Sequence, residues 1–412
     1  MTSPDTALES ARAKTGWRLV PLWTIARRVE RRGHPNAQLL SVYRDHGVVR
    51  KADRDDNFNR ASDDLSTYKF VQRGDLVLNK MKTWQGSLAV STYDGIVSPA
   101  YYTCTLSKSV VPRYLHYLLR SPPYIALYGA ASKGIRPNQW DLPYDEFHNL
   151  PVLVPPVQEQ RRIADFLDDQ VARIDKIISA RQKQLMLIDE MLTSRLADLF
   201  LVGATVPMRR FVKEAVVGIV VQPAKYYVDD DDGVLTLRGT NVTEGRISTT
   251  DLVRISLLGQ QLHPRSQLRT GDVVVVRTGD AGSSCVVPAW AIGWNCIDLV
   301  IVRVNATALP RYVEHALNAA RRNTAIIAAA SGSIQQHFGV GALLSLPVHW
   351  RDTREQRITI DAADEVRRDA ADGSGLVTES VSRLGEVKRS LITAAVTGEF
   401  DVSSVARLRG SV

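Results

Sequence analysis

The chain has 412 residues, enough for two to four domains that each bury a core. Hydrophobic residues make up 44% and charged residues 23%, which excludes a disordered or fibrous chain. The formal net charge of +8 favours a polyanionic partner, while three isolated cysteines exclude a disulfide framework or a cysteine-based zinc site.

In chain order, residues 1–15 read as a polar, flexible N-terminal tail without the apolar core of a signal peptide. No apolar run approaches the roughly 18–20 residues of a membrane span, and a cytoplasmic location is expected. Residues 16–156 follow as short strand-like runs broken by turn pairs such as Gly74-Asp75, Asp94-Gly95 and Lys133-Gly134. A short helix is expected over Tyr114–Leu119, stopped by Ser121-Pro122-Pro123.

After Pro155-Pro156 the character changes. From Gln158 to Leu199 there is no Pro or Gly, and Val171, Ile174, Ile178, Leu185, Ile188, Leu192 and Leu199 fall on a 4-3 spacing. Arg181 and Arg195 occupy the two charged slots of that series. This predicts one long helix over 157–203 with a coiled-coil seam, a rod of roughly 60 Å that needs a partner helix.

Residues 204–350 form a second β-rich segment, with strands at Val273–Val276 and Leu299–Val304 and a short helix over Arg311–Ala320. A second rod spans 351–400, with Val377, Val381, Leu384, Leu391 and Ala395 on its seam and Lys388 in one polar slot. Gly373 and Gly375 are expected to kink it near 371–375, and residues 401–412 read as a tail. The two rods pair most simply as an antiparallel coiled coil.

The two halves repeat each other. Leu150-Pro151-Val152 returns as Leu346-Pro347-Val348, Glu159-Gln160-Arg161 as Glu355-Gln356-Arg357, Gly74-Asp75 as Gly271-Asp272, and Gly203 as Gly398. The offset stays near 196 residues, far beyond the period of a solenoid or propeller. The fold class expected is α+β: a tandem pseudo-repeat of β-rich domains separated by two long helices.

These residues carry a family resemblance. Gly74–Met81, Trp84-Gln85-Gly86 and Gly95–Tyr101 resemble the target recognition domain of type I restriction–modification specificity subunits. Leu150–Pro156 leading into Glu159–Leu167 is similar to the start of that family's central conserved helix. Gly271–Arg277, Gly279, Gly282, Asn295 and Glu355-Gln356 look like a second variant of the same module. The copy departs where Pro347-Val348-His349-Trp350 replaces the Pro-Pro join. The resemblance implies a non-catalytic DNA reader. Each recognition domain would read half of a bipartite duplex site, and the helix pair would set the spacer. Two modification subunits would dock on the helices and methylate adenine with S-adenosylmethionine. Restriction subunits using ATP and Mg would join where present.

Base reading needs paired donors and acceptors, Arg or Lys for guanine and Asn or Gln for adenine. The first domain offers Lys80, Lys82, Trp84 and Gln85 after a strand, and Lys133, Arg136, Asn138 and Gln139 in a loop. The second offers Arg277 and Thr278, with Ser333, Gln335, Gln336 and His337 in the equivalent loop. The competing reading is ordinary solvated loop residues, and for Trp84 a core tryptophan. Arg27, Arg28, Arg31 and Arg32 fit either phosphate contacts or a solvated helical face. Asp229–Asp232 reads as a calcium-binding turn or, more simply, an exposed one. Ser121-Pro122-Pro123-Tyr124 resembles an amino-methyltransferase signature, yet no Gly-rich cofactor turn accompanies it. Thr278–Gly282 lacks the Lys-Ser/Thr of a phosphate loop, and eight scattered histidines give no metal site.

Overall fold

The computed structural model describes residues 4–44, 46–54, 62, 64–134, 140–229, 231–323 and 338–403. The chain divides into two compact units, residues Met1–Ala180 with Ser380–Val412, and Arg181–Glu379. The long helices Val157–Phe200 and Thr353–Thr397 are each shared between them, so the units cut across the expected chain-order segments.

Each unit is built on a four-stranded antiparallel sheet of the same topology. In the first the order is Ala26–Arg28, Tyr101–Leu106, Leu76–Asn79, Leu88–Val90. In the second it is Val212–Val217, Leu299–Val304, Val273–Val276, Ser284–Val286. The central strands are apolar on both faces because both are covered. Leu76 and Leu78 face the main core with the helices, whereas Val77 joins Leu40, Val42, Val48, Val71, Ala89 and Val97 behind. Val273 and Val275 likewise face one core, and Val274 and Val276 the other. Period-two alternation therefore sorts side chains between two cores rather than between core and water.

The repeated markers have repeated jobs. Gly74 (φ +92°) and Gly271 (φ +79°) make left-handed turns that other residues enter at a cost. The next residue's carboxylate accepts a backbone N–H from Gln72 or Arg269, at 2.9 Å in each case. Asp75 is further held by Arg31 Nη1 (2.5 Å) and Asp272 by Arg303 Nε (3.1 Å). Burial pushes the Asp272 carboxyl above its usual range, against the hydrogen bonds from Arg269 and Arg303.

Gln160 and Gln356 clamp the start of each long helix to its globule. Gln160 Oε1 accepts the Val111 N–H (2.7 Å), and its Nε2 donates to the carbonyls of Ser109 (3.1 Å) and Pro155 (2.8 Å). Gln356 Oε1 accepts the Leu309 N–H (2.8 Å), and its Nε2 donates to Thr307 (2.8 Å) and Arg351 (2.9 Å). Both side chains are fully buried, so these bonds replace all contact with water.

Within each unit the helix segments run antiparallel. In the first, Lys388 donates to Asp175 (2.6 and 2.9 Å) and Phe166 stacks on Phe400. In the second, Ile188 lies beside Gly373, and Arg351 donates to the Leu199 carbonyl. The heptad series changes near its end: Leu192, Leu196 and Phe200 are buried, whereas Arg195 is exposed. Here the helix turns its apolar stripe onto the globule, where Phe200 stacks on His315 and tilts against Tyr312.

Three local expectations are corrected. Residues Pro4–Thr15 form a helix rather than a flexible tail, because Leu8 and Ala11 bury themselves in the first core. Pro122-Pro123 opens a new helix, Pro122–Ala131, as well as ending Pro112–Leu119. Proline at a first turn removes only an N–H without an intrahelical partner. The C-terminal helix runs unbroken through Gly373 and Gly375, since tertiary packing outweighs two poor helix formers.

Candidate nucleic-acid interface

In the first unit the strand Leu76–Asn79 runs into a compact turn. Thr83 Oγ1 donates to the Asn79 carbonyl (2.7 Å), and Gly86 closes the turn at φ +93°. This turn carries Lys80, Lys82, Trp84 and Gln85. The Leu142 N–H donates to the Lys80 carbonyl (3.0 Å), and Lys133 and Asp141 exchange two backbone bonds of 2.9 Å. Lys80 and the Lys133–Asp141 bridge are therefore joined at this point.

Side chains complete the join. Lys80 Nζ lies 2.9 Å from Asp141 Oδ2, and that hydrogen bond raises the Lys80 pKa, so the ammonium stays charged. Trp84 tilts against Trp140 with ring centroids 5.0 Å apart, and its Nε1 donates to Met81 O (3.1 Å). Both indoles are half-buried, so Trp84 is neither a core residue nor a free wedge. Lys82 is exposed, Gln85 half-buried, and Lys133 reaches Glu146 (2.8 Å). Arg136, Asn138 and Gln139 lie outside the described residues.

The second unit repeats the arrangement with other side chains. The Phe338 N–H donates to the Arg277 carbonyl (2.9 Å), the counterpart of the Leu142–Lys80 bond. Arg277 Nη1 donates to Asp298 Oδ1 (2.7 Å) and Thr278 Oγ1 to Asp298 Oδ2 (3.1 Å). Ser333, Gln335, Gln336 and His337 lie outside the described residues. The Gly-rich stretch after Thr278 is an anchored turn: Asp280 accepts from Ser283 Oγ (2.5 Å) and pairs with Arg321.

Asp141, Asp298 and Trp140 belong to this surface and were not singled out in the sequence. A search for basic and amide readers passes over carboxylates. Asp298 also sits on the neighbouring strand's turn, where spacing gives no signal.

The other motifs resolve into structure. Arg27 and Arg28 lie on a strand rather than a helical face. Arg28 sits 5.0 Å from the rings of Tyr102 and Tyr144 and pairs with Glu30, as does Arg32, while Arg31 serves Asp75. Tyr124 of the Pro-Pro-Tyr run is fully buried, and its hydroxyl accepts the Leu153 N–H (3.1 Å). It is a packing residue. Asp231 is exposed and lies 3.5 Å from Arg254. Burial pushes the Cys104 and Cys285 thiols up to about 12 and Cys296 further, so none is a ready nucleophile. Among the described residues, no group of three His, Cys, Asp or Glu is placed to hold a metal ion, and no helix is long and apolar enough to cross a membrane.

Two matched sheets, each with a polar surface at the same strand end and a glutamine-clamped long helix, define a duplicated structural module. Its fold is that of HsdS subunits of type I restriction–modification systems. One similar solved chain comes from work on complex assembly and conformational transition of the type I system. It matches at a TM-score of 0.72 and 16% identity, covering 93% of this chain and 98% of that one. The HsdS subunit from Thermoanaerobacter tengcongensis matches at a TM-score of 0.52 and 17% identity, covering 94% and 98%. The sequence matches no protein-family model and no curated protein.

Proposed function

We propose that this chain is the DNA-specificity subunit of a type I restriction–modification complex, without catalytic chemistry of its own. Each unit's polar surface reads one half of a bipartite duplex site, and the long helices fix the spacer between the halves. Two modification subunits dock on those helices and methylate adenine, with S-adenosylmethionine bound in the modification subunits. Restriction subunits bring ATP and Mg chemistry where they are present. The observation carrying this reading is the contrast between matched frames and unmatched readers. The Gly-Asp turns and glutamine clamps agree between copies, whereas Lys80 with Asp141 stands where Arg277, Thr278 and Asp298 stand in the other. Two copies of one frame reading two different sequences require that contrast.

Mapping methylated adenines genome-wide, with and without this gene, tests the reading. Replacing residues 204–350 by another recognition domain should change one half-site only. Inserting four residues near Ser179 adds about 6 Å of helix and should lengthen the spacer by one or two base pairs, leaving both half-sites intact. Altered half-sites after the insertion, or methyl transfer by the purified chain alone, would overturn the proposal.

A further inference from the structure

The first basic residue after the central strand is not free in either copy. In the first unit Lys80 is held by Asp141, which comes from the base of the polar loop. In the second, Arg277 is held by Asp298, which comes from the turn between the strands Asn295–Cys296 and Leu299–Val304. The carboxylate is supplied by unrelated elements to the same place, so it is not a relic of the shared frame.

Asp298 also occupies a costly backbone state. Its φ is +51°, and among the described residues only Gln222 and Asp251 share a positive φ without being glycine. Left-handed backbone is sterically unfavourable for a residue with a side chain, and glycine would remove that cost. What glycine lacks is the carboxylate, whose two oxygens take Arg277 Nη1 and Thr278 Oγ1 at once. Arg277 Nε is buried and unpartnered, so Asp298 holds the guanidinium through one Nη1 N–H and leaves the second Nη1 N–H and the Nη2 group as outward donors. An arginine fixed in this way presents donors in one direction, as guanine recognition requires, and carries less net charge toward phosphates.

We propose that Asp298 is a positioning residue that sets the base preference of the second unit by orienting Arg277 and Thr278, and that Asp141 does the same for Lys80 in the first. This rests on the DNA-reading function proposed above.

Asp298→Asn is the informative variant, because asparagine tolerates the left-handed backbone while losing the charge. The full chain assembled with its modification subunits is presented with a library of duplexes randomised at each half-site in turn, and methylated products are sequenced. The expected result is about a tenfold to hundredfold loss of base discrimination at one or two positions of the second half-site. The first half-site should be unchanged, and Asp141→Asn should give the mirror result. Asp298→Glu should restore part of the preference. Unchanged base preference, or an equal loss of methylation at every sequence, overturns the positioning role. Replacing residues 204–350 in parallel separates the causes: if that exchange changes no half-site, the DNA-reading function itself fails, and the positioning role with it.

Discussion

Gln160 and Gln356 each tie three backbone groups to a long helix from a fully buried position. Truncating either to alanine strands an N–H and two carbonyls out of reach of water. Gln160→Ala and Gln356→Ala should each cost about 2–4 kcal/mol, read as a lowered urea midpoint. A loss below 0.5 kcal/mol in both would show that water replaces the clamp. The Glu-Gln-Arg marker was visible in the sequence as a repeat, but its role was not. The partners Ser109, Val111, Thr307 and Leu309 lie far upstream, and only the fold brings them together. Histidines give a second residue-scale outcome. Burial, assisted by Arg120, lowers His116 from 6.5 to about 4; burial with Arg367 lowers His315 to about 4, against Asp364. Both folded values lie below the unfolded one, so the unfolded chain binds more protons between pH 6.5 and 4. Stability should be full above pH 6.5 and fall as pH drops through that window. Denaturation midpoints at pH 7 and pH 5 check this, and His315→Gln should flatten part of the slope.

At the scale of elements, helix Thr353–Thr397 holds three glycines, Gly373, Gly375 and Gly385, and at the first two there is room for a side chain. A Cβ on Gly373 would sit 3.6 Å from Ile188 Cδ1, an ordinary contact, and one on Gly375 would meet nothing within 4 Å. Gly373→Ala and Gly375→Ala should each stabilise by about 0.5–1 kcal/mol in thermal melts. Gly398→Ala should do the reverse, since φ is +70° and its Cβ would come within 2.3 Å of Thr15 Cγ2. The central strands were legible as short apolar runs bounded by turn residues, and the long helices because heptad spacing persists over many residues. The helix Pro4–Thr15 was missed because Leu8 and Ala11 alone make too short a stripe to register. The seam's slip to Leu196 and Phe200 was equally hidden. There the helix packs on its globule, and a pattern that assumes a helical partner names Arg195 and Leu199 instead.

For the whole molecule, the repeat near 196 residues announced two copies of one module, and the sheets bear this out strand by strand. It did not announce how the chain is apportioned. The first unit takes its core from Leu8, Ile163 and Leu167 and also from Ala395, Val396 and Val402. The second is contained within Arg181–Glu379. Synthesis from the N-terminus therefore completes the second unit first. The first waits with an open apolar face until Ala395, Val396 and Val402 have left the ribosome. A chain stopped after Glu379 should keep the second unit's cooperative unfolding transition and lose the first's, as hydrogen exchange would reveal peptide by peptide. An upstream unit that matures last is exposed to proteases and chaperones for the longest time, so a premature stop soon after Glu379 should leave the earlier unit unfolded and the later one folded.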